Sequence, residues 1–319
     1  MNVLLVAEES AGIQTLRLIA ESGHELAGVM TTTATRGGGA TVASAATELD
    51  VPLLPSEGVR DPELGEWIRD REIDLLLNVH SLFVIDPEVI GAPRIGAFNL
   101  HPGRLPEYAG LNAPSWAIYF GESRHAVTVH WMEPGIDTGA IAYTAEFPIE
   151  EEDTGLSLSA RCVHEGLPLI ATLLEAAATD PRSIPKVPQD LSRRRYFGRA
   201  APDGGRIPWA SPAERIVALV RACDYFPFPS PWGSASATID GRELAVLKAA
   251  TSGSPADAPP GTVGEIEGQA VDVAAEDEWV LVSRIRAAGG QAVPAAEVLA
   301  PGMRFVATES LSKSEARLR

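Results

Sequence analysis

Three polar side chains have types and spacing that fit joint chemistry. Asn99 and His101 sit in Phe98-Asn99-Leu100-His101-Pro102-Gly103-Arg104-Leu105-Pro106, and Asp137 in Glu133-Pro134-Gly135-Ile136-Asp137-Thr138-Gly139. A strand over 97–100 turns Asn99 and His101 to one side, because side chains alternate along a strand. The Pro102-Gly103 pair then turns the chain away at the strand's carboxyl end, the edge where open α/β sheets bind ligands. The 133–139 turn follows a second strand, 127–131, and can present Asp137 to the same edge. A carboxylate beside an imidazole moves protons near neutral pH, and an amide donor stabilises negative charge that develops in front of it. Each residue alone has an ordinary reading: a structural histidine, a turn asparagine and an Asx-turn aspartate.

The elements around them alternate. Residues 2–7 are a short apolar run, followed by Glu8-Glu9-Ser10-Ala11-Gly12 and the helical pattern Ile13, Leu16, Ile19, which reads as strand, turn, helix. A second strand covers 25–30 and a loop covers 31–39. A helix over 61–71 leads into a buried strand at 73–79. Strands at 97–100 and 126–131 follow, then a helix from 154 to about 178. Alternating strands and helices predict an α/β fold, a doubly wound, mainly parallel sheet. Residues 180–205 carry Pro181, Pro185, Pro188 and Pro202 with Arg193, Arg194 and Arg195 in a row; they read as a linker, the arginines solvated. A helix over 212–223 and short strand-like runs at 235–239, 244–247, 262–266, 270–273 and 279–285 predict a small β-barrel or sandwich. The small-residue stretch 251–261 reads as a loop. The expected domains are 1–190 and 206–319, joined by 191–205.

The bulk composition narrows the function classes. The 319 residues are 45% hydrophobic and carry 43 acidic against 26 basic side chains, a net charge of −17. That balance repels nucleic acid over most of a surface, since phosphate binding rests on Lys and Arg, although a local basic patch can override it. Cys162 and Cys223 have no metal or disulfide spacing around them, so no metal is expected. No apolar run approaches the ~20 residues of a membrane span, and Glu8 and Glu9 come too early for a signal peptide. The expectation is a cytoplasmic protein with no membrane partner.

Asn99-x-His101, the Leu105-Pro106 step and Gly135-Ile136-Asp137-Thr138-Gly139, with Asp137 36 positions after His101, resemble the folate-dependent formyltransferase family. That family includes methionyl-tRNA formyltransferase, glycinamide ribonucleotide transformylase, sugar N-formyltransferases and enzymes of siderophore and peptide-synthetase pathways. The segment from Tyr196-Phe197-Gly198-Arg199 to Pro208-Trp209 resembles the family's entry to an OB-like C-terminal domain. The resemblance implies that Asn99, His101 and Asp137 are catalytic and that 10-formyltetrahydrofolate donates a formyl group to an amine. It also implies folate contacts from Leu82, Phe83, Val84, Ile85, Gly103, Arg104, Leu105, Pro106, Glu133, Pro134, Gly135 and Ile136. Asn99 and His101 would stabilise the formyl oxygen, and His101 with Asp137 would take the amine's proton in an order the sequence leaves open.

The acceptor is read from charge and from departures. The tRNA-acting members carry a basic insertion after the second strand; here Arg36 is the only basic residue of 31–39. The expectation is therefore a small amine: an amino-sugar nucleotide, an amino acid or hydroxyornithine type, free or on a carrier protein, with tRNA an unlikely partner. A homodimer stays open. Methionyl-tRNA formyltransferase, a formyltetrahydrofolate hydrolase and a non-catalytic folate-binding protein are the alternatives. Arg104 stands where many relatives have an apolar residue. Glu8 or Glu9 either holds a cationic amine or is solvated. Thr35-Arg36-Gly37-Gly38-Gly39 lacks the ending of a phosphate loop and reads as a plain loop. His24, His80, His125, His130 and His164 read as structural, His80 with the strongest claim to more. Because the motifs all end by Gly139, a cut near Asp190 is expected to leave a soluble folate-binding fragment.

Overall fold

Val3, Leu4, Leu5, Val6 and Ala7 are all buried and make up most of β1 (Asn2–Ala7). A strand apolar on both faces is stable only with a covering layer on each side. The computed structural model describes residues 1–32, 39–81 and 83–306. In chain order β1 is followed by α1 (Glu9–Glu21), β2 (Glu25–Thr31), α2 (Val42–Glu48), β3 (Leu53–Pro55), α3 (Leu64–Asp70), β4 (Leu75–Val79), α4 (Pro87–Ile90) and β5 (Gly96–His101). Then come β6 (Ala109–Gly110), α5 (Ala113–Tyr119), β7 (Arg124–Trp131), β8 (Ile141–Pro148), α6 (Gly155–Thr179) and β9 (Tyr196–Phe197).

The main sheet has the order β3-β2-β1-β4-β5-β7-β8. Its strands β1 to β5 pair in parallel, and β7 runs antiparallel to β5. From β1 the chain winds outward to β2 and β3, then returns to β4 and β5 on the other side. The carboxyl ends of β1 and β4 therefore flank the switch point, where such sheets open a crevice. Leu4, Val6, Met30, Val59, Ile68 and Leu76 form a core cluster beside it. On β5, Phe98 and Leu100 point away from Asn99 and His101. Behind Leu100 runs α6, whose Gly166 approaches so closely that a Cβ there would lie 2.9 Å from a Leu100 methyl.

By internal contacts the chain divides into two compact units: 1–110 with 126–147 and 161–195, and 111–125 with 148–160 and 196–319. Residues 111–125 and 148–160, inside the range expected for the first domain, thus group with the second unit. That unit adds α7 (Ala213–Cys223), β10 (Ser236–Ile239), β11 (Arg242–Pro255), β12 (Val263–Glu267), β13 (Ala270–Ala274), β14 (Glu278–Ala287) and β15 (Ala292–Pro294). Its sheet has the order β10-β11-β14-β13-β12, with β15 on β14, and the named strands pair antiparallel. The second unit is an antiparallel sheet, and no continuous ladder closes it into the expected OB-like barrel. Among the described residues none joins β10 to β12 directly, and residues 302–306 stand between them, bridging Phe305 to Ile239 and Arg304 to Thr262, with the Phe305 N–H donating to the Gly261 carbonyl and the Val306 N–H to the Thr238 carbonyl. The expected loop at 251–261 is also corrected at its start, because β11 runs on to Pro255. Pairing with β14 holds it there, Thr251 opposite Val280 and Pro255 opposite Glu278 across irregular register.

Candidate active site

The register of the main sheet brings the site together. Asn78 on β4 lies opposite Asn99 on β5, and Asn99 lies opposite His130 on β7. The three side chains form a polar row across three strands. Asn78 Nδ2 donates to Asn99 Oδ1 at 2.9 Å, and Asn99 Nδ2 lies 3.0 Å from His130 Nε2. His130 Nδ1 is 2.8 Å from the Trp131 carbonyl. A carbonyl only accepts, so Nδ1 carries a proton there, and an amide nitrogen only donates, so Nε2 accepts from Asn99.

Asp137 closes the row. The turn that carries it needs Gly139, where any Cβ would run into the Trp131 carbonyl. Asp137 itself is left-handed, φ 54°, a strained backbone for a residue with a side chain. Its Oδ2 accepts from the Gly110 N–H at 2.7 Å and lies 3.6 Å from His101 Nδ1. Its Oδ1 lies 3.4 Å from both Asn99 Nδ2 and His130 Nε2. Burial alone would raise the Asp137 pKa. In the acidic range where a carboxyl titrates, the charge of a protonated His101, His130 beside it and the Gly110 N–H more than offset that, and hold the carboxyl far below its ordinary range.

His101 is 3% exposed. Its Nε2 sits 2.6 Å from the Tyr108 carbonyl, so Nε2 bears the proton and Nδ1 is the nitrogen that faces Asp137. Burial pushes its pKa down; Asp137 and the Tyr108 carbonyl pull the other way, and His130 and His80 add to the lowering. The result is a neutral imidazole beside a firmly ionised carboxylate.

The remaining expected contacts scatter. Leu82 and most of the 31–39 loop, including Arg36, fall outside the described residues. Ile85 is buried in the core cluster and Phe83 packs against it, while Val84 is 70% exposed. Gly103, Leu105 and Pro106 are buried; the Gly103 carbonyl accepts from Thr128. Arg104 lies 3.8 Å from Glu146. Glu133, Pro134, Gly135 and Ile136 are exposed. Glu8 is neither solvated nor open to an amine, because its carboxylate is buried and accepts from Thr31 and Thr32. Glu9 pairs with His80 at 3.6 Å. His130, read as structural, stands in the site, and so does Asn78. Their signal lay in the polar residues at strand positions 78, 99 and 130, which only the register lines up. The Asn78 Oδ1 atom is buried with no partner among the described residues.

A family model described as formyl transferase matches residues 11–173, and one for the formyl transferase C-terminal domain matches 200–301. The chain is 30% identical to a methionyl-tRNA formyltransferase of Synechococcus sp. (strain JA-3-3Ab), over 77% of each chain. It is 32% identical to one from Pseudomonas fluorescens, over 78% of this chain and 75% of the other. Among solved structures, an N-formyltransferase from Helicobacter canadensis, in complex with folinic acid and dTDP-3-aminofucose, matches at TM-score 0.67 and 15% identity, over 88% of this chain and 98% of that one. HypX from Aquifex aeolicus, in complex with tetrahydrofolic acid, matches at TM-score 0.62 and 20% identity over 93% of this chain; the chain spans 46% of HypX. These two show a shared fold. The relatives overturn the expectation that tRNA is an unlikely partner, since they are named for methionyl-tRNA. A whole-chain charge of −17 averages over a surface on which one local basic patch suffices for phosphate contact.

Proposed function

This chain belongs to the formyl transferase family, and from that premise we propose that it moves the formyl group of 10-formyltetrahydrofolate to a primary amine at Asn99, His101 and Asp137. The observation that supports this reading is the meeting of those side chains with His130 at the carboxyl end of β5, within 3.6 Å of one another along the chain of contacts. Bound 10-formyltetrahydrofolate supplies the electrophilic carbon and departs as tetrahydrofolate.

The residues divide the work by what each can donate or accept. Asn99 Nδ2 spends its hydrogens on His130 at 3.0 Å and Asp137 at 3.4 Å. The longer contact is the weaker, and the formyl oxygen can replace it as acceptor while negative charge grows there. A preorganised donor of this kind is worth about 2.7–4 kcal/mol. Neutral His101 offers Nδ1 to the proton that the attacking amine must lose, ionised Asp137 stabilises the imidazolium that results, and the imidazolium returns that proton to N10 as the bond from N10 to the formyl carbon breaks. Among the described residues no His, Cys, Asp and Glu cluster has metal-holding geometry.

For the acceptor, the relatives' names support the α-amine of methionyl-tRNA. A small amine is the second reading, and it is supported by the fold shared with the Helicobacter canadensis N-formyltransferase in complex with dTDP-3-aminofucose. Tetrahydrofolate release from 10-formyltetrahydrofolate, measured with methionyl-tRNA, nucleotide amino sugars and amino acids in parallel, tests both. Formyl transfer to one acceptor class supports the proposal. Formate release without any amine would make the protein a hydrolase instead.

A further inference from the structure

The sequence gives Arg193, Arg194 and Arg195 the look of a solvated linker, yet their guanidinium groups are engaged, and the loops they engage are those that carry the site. Arg195 makes four contacts with the loop after β5. Its N–H donates to the Pro106 carbonyl at 3.3 Å, and its own carbonyl accepts from the Ala109 N–H at 3.0 Å. Its Nε donates to the Glu107 carbonyl at 3.2 Å, and its guanidinium stacks on the Tyr108 ring, 4.6 Å from the centroid. Arg193 pairs with the Glu107 carboxylate. These contacts bracket Tyr108 on both sides, and Tyr108 supplies the carbonyl that fixes the proton on His101 Nε2.

The other end of the segment grips the Asp137 turn. Gln189 Nε2 donates to the Asp137 carbonyl at 3.0 Å and the Gly139 carbonyl at 2.6 Å, and Arg194 Nη2 donates to the Ile136 carbonyl at 2.9 Å. A left-handed aspartate persists only where its surroundings over-determine it, and these three bonds enclose it. One short stretch of chain thus holds both partners of the imidazole–carboxylate pair.

We propose that residues 189–195 form a positioning strap that sets the tautomer of His101 and the approach of Asp137 to it, with Arg195 and Gln189 as its positioning residues. The inference rests on the proposed function for its catalytic meaning but not for its geometry. Without the Arg195 side chain the Glu107 carbonyl loses its Nε donor and the Tyr108 ring its stacked guanidinium. The main-chain bonds of residue 195 remain, but they do not fix the Tyr108 carbonyl on Nε2, and the imidazole can place its proton on either nitrogen. The charged and titratable groups that face His101 are Asp137 from the 133–139 turn, His130 from β7 and His80 after β4. Arg195 acts on the ring through Tyr108 and not as a charge facing it.

Nitrogen-15 NMR of histidine-labelled protein reads the tautomer directly, with the His101 signal assigned by its loss in His101→Asn. The wild type should show a protonated Nε2 and a bare Nδ1 at neutral pH. Arg195→Met should give averaged ring nitrogens, move the acidic limb of the kcat profile, and lower kcat on the order of tenfold to a hundredfold, as misplacement by about an ångström does. The KM for 10-formyltetrahydrofolate should hardly change. Arg195→Lys keeps the charge over the ring but lacks the Nε donor and should fall between. A folded Arg195→Met with wild-type ring nitrogens and pH profile overturns the strap, even if kcat falls. Should that variant not fold, Gln189→Leu is read by the same two measurements, and wild-type values there overturn it equally. A wild type that transfers no formyl group defeats the proposed function, while the NMR result still decides the strap.

Discussion

Burial holds His101 in its neutral form, and that makes one residue a source of acid sensitivity. Its folded pKa lies below the ordinary ~6.5, so the unfolded chain binds the extra proton first. Stability from this group is full above about pH 6.5 and is lost as pH falls from there toward the folded value. Urea unfolding at stepped pH should show that slope in the wild type and a shallower one in His101→Gln. Asp137, also depressed, adds its loss only at lower pH, below ~3.9. For activity, His101→Ala and Asp137→Ala should each lower formyl transfer at least a hundredfold, within the ~10²–10⁴ of a positioned proton acceptor. The double variant should lose little more than the worse single, because the two serve one proton transfer. Steady-state kinetics with thermal melts checks this, and near-normal turnover in either single variant would remove the pair from the mechanism.

The elements act by fixing distances. Three neighbouring strands supply Asn78, Asn99 and His130 at matched register, so the polar row is as rigid as the sheet. The Asp137 turn is held less redundantly and depends on backbone approaching backbone: Trp131 N–H donates to the Ala140 carbonyl at 2.9 Å, and Gly139 lies against the Trp131 carbonyl. Gly139→Ala should therefore displace the turn. The expected loss is about 1–3 kcal/mol of stability, the usual range for overpacking, with a larger fall in kcat than in folate affinity. Chemical denaturation and calorimetric titration with 5-formyltetrahydrofolate separate the two. Equal losses of both would mean that the turn also holds the folate.

Over the whole molecule, chain order and compact units do not coincide, and this changes what a truncation does. Helix α5 is buried at all seven positions. Its Trp116 stacks on Phe197 at 4.7 Å and meets Trp232 edge-on at 4.8 Å, and α5 packs on α7. A cut near Asp190 removes Phe197, Trp232 and α7 together and leaves the aromatic face of α5 bare. The fragment should aggregate or bind a hydrophobic dye, in place of the soluble fragment that the order of motifs suggests. Size-exclusion chromatography with dye fluorescence decides it.

Local patterns in the chain determine much of this protein. Apolar runs alternating with amphipathic stretches specify the α/β sheet, because strands apolar on both faces must be covered by helices. The Asn-x-His and Gly-Ile-Asp-Thr-Gly segments specify which side chains share an edge, because alternation and tight turns are local properties. What stayed hidden depends on residues far apart in sequence. The place of His130 needed the β5–β7 register, which no local signal encodes. The engagement of Arg193–Arg195 needed loops from 107 and 136 to arrive beside them. The strand order of the second sheet needed the pairings themselves, since short runs between turns are compatible with a closed barrel and an open sheet alike. The tautomer of His101 belongs to tertiary structure for the same reason: a carbonyl seven residues away decides it, and the fold puts that carbonyl 2.6 Å from Nε2.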